Sequence, residues 1–246
     1  MTVPDQETPQ YALPLVVRVE RASPPARTDA LEAAARAVLW FLSDPRVAED
    51  GEWAPAVRAW TDGRIRKVVR RARGAGWDRA LALPGITVTR RSAEIRVFAP
   101  VPNDDWPAEL GRLQVSGTEL EDPQAPGAVA AGTPVLWLNP ELPMTAGKAM
   151  AQAGHAAQLA WWRLEPRARS EWKDRDFDLA VRPAGFCQQE NIAPAERWAE
   201  LVASGLPVVR DGGFTEVAPG SCTVVADLPA LRPAGFCQQE SSAVGR

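Results

Sequence analysis

At 246 residues the chain exceeds a common domain of about 100–150 residues, so it builds one large domain or two ordinary ones, and either buries a core. Apolar residues at 46% and charged residues at 24% exclude wholesale disorder, and a net charge of −3 leaves affinity for nucleic acid to a local basic patch. Cys187, Cys222 and Cys237 form no CxxC pair, are odd in number and accompany a single histidine, so neither a disulfide framework nor a zinc site is expected. The N-terminus is polar and acidic, and nowhere do about eighteen apolar residues run together. A cytoplasmic protein without membrane partner, metal or cofactor is the expectation.

The run from Tyr11 to Val19 is short and rich in Leu and Val, and Ser23-Pro24-Pro25 follows it, which predicts a buried strand ending in a turn. Asp29 with Glu32 has the form of a capping box, and Leu31, Ala34, Ala35, Val38, Leu39 and Leu42 mark one face of a helix that Asp44-Pro45 stops. A second helix is predicted over about Pro55 to Ala72, ended by Gly74 and Gly76. Ile86 to Thr89 and Glu94 to Phe98 then alternate as a hairpin. The ten tryptophans are scattered rather than repeated, so core packing is expected to account for most of them.

Residues 117–133, GTELEDPQAPGAVAAGT, carry Pro, Gly and acids but few large apolar side chains and form the best linker in the chain. They divide an N-terminal α+β domain, 1–116, from a domain at 134–230 with a tail at 231–246. Past the linker come a strand Val135 to Leu138, a turn Pro140 to Pro143, a helix from about Ala146 to Trp162 and a strand Phe177 to Val181. A helix Pro194 to Ser204 follows, then strand candidates Leu206 to Val209 and Cys222 to Ala226 around a glycine-rich turn. Strands and helices alternate in both halves, giving α/β. The N-terminal half is either a degenerate copy of the C-terminal one or similar only because this order recurs by chance. The string RPAGFCQQE occurs identically at Arg182 to Glu190 and Arg232 to Glu240. It is too short for a solenoid unit and is read as a local duplication without function.

Two segments of the C-terminal half carry chemistry. With Thr145 as N-cap, Lys148, Gln152 and His155 fall at i, i+4 and i+7 and project from one helix face. A cation in a first turn opposes the helix dipole, so a compensating partner is expected, unless Lys148 is merely solvated. Asp211 at a strand end, followed by Gly212-Gly213, is a common place for function and equally the form of a plain hairpin turn.

Together these segments resemble the two signatures of the type 2 peptidyl-tRNA hydrolases. The helix motif is matched by Met144, Thr145, Gly147, Lys148, Ala151, Gln152, His155 and Ala156, and the turn motif by Asp211, Gly213, Thr215, Pro219 and Gly220. The resemblance runs from about Pro134 to Pro229. Phe214 stands where an arginine is usual, and Ala146 and Ala153 stand where the family has other residues, which weakens phosphate contacts more than it touches the lysine and aspartate. The resemblance implies a small mixed β-sheet flanked by helices. It also implies metal-independent cleavage of the ester joining a peptide to the 3′ end of tRNA. Asp211 would help deprotonate water, Lys148 would hold that carboxylate and stabilise charge on the carbonyl, and Thr215 and Gln152 would orient water and substrate. His155 is expected to be structural.

In the N-terminal half, Ile65, Val68, Val69 and Ala72 share one face of a predicted helix. Arg64, Arg66, Lys67, Arg70, Arg71 and Arg73 are left on the other, as a footprint for tRNA phosphates or as a solvated face neutralised by nearby acids. The rival functions are a non-catalytic tRNA- or ribosome-binding protein of the same fold, and a hydrolase of another ester or amide. A monomer or a homodimer is expected, monomeric if the N-terminal half occupies a partner's place.

Overall fold

The computed structural model describes residues 9–186, 192–213 and 216–233. Phe214, Thr215, Cys187, Cys237, the last four residues of the first RPAGFCQQE copy and the last seven of the second lie outside these. The chain runs β1 (Tyr11–Arg18), α1 (Arg27–Leu42), α2 (Ala54–Thr61), β2 (Arg66–Ala72), α3 (Ala75–Leu81), β3 (Ile86–Arg90), β4 (Ala93–Val97), β5 (Val101–Pro102) and α4 (Ala108–Gly111). It continues with β6 (Val135–Leu138), α5 (Ala146–Arg163), α6 (Pro166–Asp174), β7 (Ala180–Pro183), α7 (Pro194–Ala203), β8 (Val208–Arg210) and β9 (Cys222–Asp227). Among the described residues no helix is long and apolar enough to cross a membrane.

Two mixed sheets form, with strand orders β2-β1-β4-β3 and β7-β6-β9-β8; β5 adds to the side of β1. Their patterns match strand for strand. Leu15 of β1 lies opposite Val69 in parallel and Val97 in antiparallel, and Leu136 of β6 lies opposite Val181 and Ala226 in the same senses. Central strands covered on both faces must be apolar throughout, which is why YALPLVVR and VLWL carry no alternation. Local details repeat too. The Trp60 indole donates to the Arg66 carbonyl at 2.8 Å and the Trp172 indole to the Asp178 carbonyl at 2.9 Å. The residues between, Ile65 and Phe177, both have positive φ, at 45° and 50°, and their amides donate to the Trp60 and Trp172 carbonyls. The N-terminal half thus repeats the fold of the C-terminal half.

Helices α1 and α5 form the layer between the sheets. Leu13, Leu15, Val17 and Val69 meet them from one side, Leu136, Val181, Val224 and Ala226 from the other, in one continuous core. Trp77 and Leu110, on α3 and α4, cover the outer face of the first sheet; Trp198 and Leu201, on α7, cover that of the second. The halves are therefore not separately packed domains, because each helix face that one sheet leaves open is closed by the other half.

The segment 117–133 is equally committed. Thr118 and Leu120 are buried, the Thr118 carbonyl accepts from Ala146 N, and the Glu121 carbonyl accepts from Arg27 N. Asp122 accepts from the Thr28 amide at 2.8 Å and its hydroxyl at 2.7 Å. The stretch expected as a linker caps the first turns of both central helices.

Three further expectations are corrected. The basic segment is strand β2, not the end of a helix: α2 stops at Thr61, Ile65 turns the chain, and Arg66–Ala72 pairs with β1 in parallel. Alternation then sends neighbouring charges to opposite faces. Lys67 is buried, Arg70 lies over the Trp106 ring and donates to the Gly111 and Leu113 carbonyls, and Arg64, Arg66 and Arg73 stay exposed. Asp29 is not an N-cap, since α1 begins at Arg27; it accepts from Ser92 instead. Nor is the first residue of each RPAGFCQQE copy idle. Arg182 pairs with Glu32 across the halves at 2.9 Å, with side chains 4% and 1% exposed, and Arg232 pairs with buried Asp227 at 2.7 Å.

Lys67 enters the interface from β2 against α5. Its Nζ meets the Ile65 carbonyl, Nδ1 of His155 at 3.0 Å and Oε1 of Gln158, with the Trp60 ring 5.0 Å away. Burial pushes its pKa well below the usual lysine value of 10.5. His155 is likewise pushed well below 6.5, by desolvation first and then by the charges of Lys67 and Lys148. A base with a lowered folded pKa is protonated more readily in the unfolded chain, so stability falls as pH drops below the unfolded value. Lys67→Met should therefore gain stability over the wild type at pH 7 and lose that advantage by about pH 10.5. Urea unfolding at both pH values checks this; an equal difference at the two would refute the depressed lysine.

Candidate active site

At the start of α5 the amides of Thr145, Ala146 and Lys148 find partners outside the helical ladder. Thr145 is the N-cap, its Oγ1 accepting from Lys148 N at 3.3 Å while donating to Oε1 of Glu216 at 2.7 Å. The Thr145 amide donates to the other Glu216 oxygen at 2.9 Å. Gly147 faces Thr118, where an added Cβ would make only ordinary contact at 3.7 Å. Lys148, on this first turn, reaches across to Asp211 at the end of β8, Nζ to Oδ2 at 2.6 Å, with side chains 11% and 7% exposed. The cation that the helix dipole disfavours thus has its compensating carboxylate.

One turn further along, Gln152 donates from Nε2 to the same Asp211 oxygen at 2.7 Å, and its Oε1 accepts from Oγ1 of Thr223 at 2.7 Å. The threonine hydroxyl fixes which way the amide points. The other Asp211 oxygen accepts from Gly213 N at 2.8 Å. Gly213 has φ 76°, and a side chain there would run into Pro219, so the turn requires glycine. The loop is closed at its base by Asp211 N to the Ser221 carbonyl at 2.9 Å and Gly220 N to the Asp211 carbonyl at 2.7 Å.

Lys148, Gln152 and Asp211 therefore converge, with Gly213 shaping the turn. His155 points away, into the cluster with Lys67. Thr215 lies outside the described residues. Thr223 and Glu216 do not stand out in the sequence, though a threonine inside the otherwise apolar run CTVVA is a legible signal. Among the described residues no group of three or more His, Cys, Asp or Glu is placed to hold a metal ion.

The same position in the N-terminal half holds the opposite arrangement. Asp29 is the third residue of α1 as Lys148 is of α5, and Arg91 follows β3 as Asp211 follows β8. Arg91 donates to Asp29 at 3.2 Å, so the pair keeps its place in the fold and reverses its polarity. Burial alone would raise the Asp29 pKa, but the Ser92 hydroxyl and amide and then Arg91 outweigh it and hold it below 3.8. With Ser92 and Arg91 on its two oxygens, Asp29 is held as an acceptor in an ion pair.

A model of the peptidyl-tRNA hydrolase PTH2 family matches residues 133–234. The peptidyl-tRNA hydrolase of Aeropyrum pernix is 34% identical over 95 residues, which span 37% of this chain and 77% of that protein. The chain belongs to the PTH2 family. The peptidyl-tRNA hydrolases of Halobacterium salinarum and Methanocaldococcus jannaschii are 33% and 35% identical, over 39% and 37% of this chain and 84% and 81% of theirs. No solved structure gives a significant match. In this PTH2 member the matched region contains Lys148, Gln152, Asp211 and Thr223, and the reversed pair Asp29–Arg91 lies in the half outside it.

Removing one partner of the Lys148–Asp211 pair leaves a nearly buried charge. Lys148→Met should cost about 1–3 kcal/mol, softened by the Gln152 and Gly213 donors, and adding Asp211→Asn should recover part of that. Denaturant unfolding of the single and double variants measures the coupling, and strictly additive losses would show that the ion pair contributes nothing.

Proposed function

We propose that the protein hydrolyses the ester between a peptide and the 3′ end of tRNA, with a water as nucleophile and no metal. The Lys148–Asp211–Gln152 constellation in a family of peptidyl-tRNA hydrolases carries this reading. Oδ1 of Asp211 accepts from Gly213 N and, as a carboxylate oxygen, keeps the capacity to accept from a water as well. As that water adds to the ester carbonyl, Asp211 takes its proton, and the Lys148 ammonium offsets the charge growing on the carbonyl oxygen. Collapse of the intermediate breaks the bond to the ribose oxygen, which takes the proton from Asp211, giving a peptide acid and free tRNA. Gln152, oriented by Thr223, holds Asp211 in place, and Thr215 is assigned to orient water. Because Lys148 already supplies positive charge at the reacting oxygen, the scheme needs no Lewis acid. Peptidyl-tRNA as substrate places the protein where translation occurs.

The decisive assay incubates purified protein with peptidyl-tRNA and with aminoacyl-tRNA, with and without chelator, and follows release of deacylated tRNA. Hydrolysis of peptidyl-tRNA, unaffected by chelator, is expected. Lys148→Ala and Asp211→Ala should each lower kcat/KM at least about 100-fold, the size of removing one charge-stabilising group. Full activity in both would sink the site assignment, chelator sensitivity would sink the metal-free scheme, and binding without turnover would favour a non-catalytic tRNA-binding protein.

A further inference from the structure

The N-terminal half presents an uneven distribution of charge beside the site. Its central helix and α5 begin at the same end of the molecule, since the segment 117–122 caps both: Thr118 O accepts from Ala146 N and Glu121 O accepts from Arg27 N, each at 3.1 Å. Three arginines of the N-terminal half at this end are neutralised, while Arg21 and Arg73 are exposed. Arg18 pairs with Glu20 and Glu94, Arg90 with Glu32, and Arg91 with Asp29.

Arg27 and Arg71 differ. Arg27 donates from Nη2 to the Met144 carbonyl at 3.0 Å, just before the N-cap of α5. Arg71, near the end of β2, donates from Nη1 to the Gly117 carbonyl at 2.9 Å and from Nη2 to Oε1 of Gln114 at 2.6 Å. Gly117 adjoins Thr118, which packs on Gly147 next to Lys148. Among the described residues neither arginine has a carboxylate partner; their partners are neutral oxygens, which orient the guanidinium without cancelling its charge. Both side chains are only partly buried. Two fixed cations from the other half, each without a direct ion pair, therefore flank the turn that carries Lys148, whose own charge is tied to Asp211.

We propose that Arg27 and Arg71 bind backbone phosphates of the tRNA acceptor end, so that the half with the reversed ion pair supplies substrate grip to the half with the site. This rests on the hydrolase reading and goes beyond it by dividing binding and chemistry between the two copies of the fold. Gln114 Oε1 takes both Nε and Nη2 of Arg71, yet each Nη keeps a second hydrogen that suits a phosphate oxygen, and two such arginine contacts a short reach from the ester would place its carbonyl against Lys148.

The test measures tRNA affinity against salt, and hydrolysis, for the wild type and for Arg27→Gln/Arg71→Gln. Removing one arginine–phosphate pair should lower the log–log salt slope by about 0.7–0.9. The variant should show raised KM with little change in kcat on peptidyl-tRNA, and its preference for peptidyl-tRNA over an N-blocked aminoacyl ester of adenosine, which lacks phosphates, should fall about tenfold. Arg27→Lys/Arg71→Lys, which keeps the charge, should restore most of the slope. If the glutamine pair does not fold, each single variant should still lower the slope by about 0.7–0.9. A wild-type slope in the glutamine variants, equal loss on both esters, or no binding of tRNA by the wild type would overturn the proposal. A lowered slope in a protein that hydrolyses neither ester would sustain these phosphate-binding roles and defeat the hydrolase reading instead.

Discussion

Helix α1 lies against helix α5, and the close approach of the two organises everything else. Small side chains face one another there: Ala30, Ala34 and Ala37 on one helix, Ala149, Ala153, Ala156, Ala157 and Ala160 on the other, all buried in one core. At Gly154 an added Cβ would sit 3.0 Å from Cγ2 of Val38, so even one methyl group forces the neighbour to move. Each helix covers its own sheet and part of the other's, and the two sheets, each with an apolar face to hide, are closed only in the pair. The buried Arg182–Glu32 ion pair and the Lys67–His155 contact are consequences of the same interface.

Setting two like folds side by side brings two helix N-termini to one end of the molecule. The dipoles of both helices point their positive ends there, where backbone carbonyls and the carboxylates of Asp122 and Glu216 accept from amides at the helix starts. The C-terminal half adds a lysine to this environment and balances it with Asp211, which Gln152 and the Gly213 amide also bind. The N-terminal half puts Asp29 in the corresponding first turn, where the dipole favours it, and ties it to Ser92 and Arg91. One scaffold therefore supports a pair that opposes the helix dipole and a pair that the dipole favours. The difference lies in which end of the salt bridge the helix carries.

Much of this is legible in the order of residues. The apolar runs of β1 and β6, the helical stripe of α5 and the β3–β4 hairpin all depend on local spacing, and the structure has each near its expected bounds. The failures have a common cause. IRKVVRRA has helical spacing of Ile65, Val68 and Val69, yet pairing with β1 rewards an extended backbone that no local pattern announces. Residues 117–133 have the composition of a linker, but their value lies in carbonyls and a carboxylate offered to distant helix ends, contacts that composition does not encode.

Residue order alone determined that the chain alternates strands and helices, that it resembles a hydrolase family over its C-terminal half, and that Lys148 and Asp211 are its candidate pair. These follow from chemistry carried within a few residues of one another. Only the tertiary structure decided that the halves are two copies of one fold sharing a core, that Thr223 orients Gln152, and that the basic segment is a strand with one lysine buried and Arg71 at the rim. Each of those depends on side chains brought together from far apart in the chain, where burial and pairing outweigh local preference.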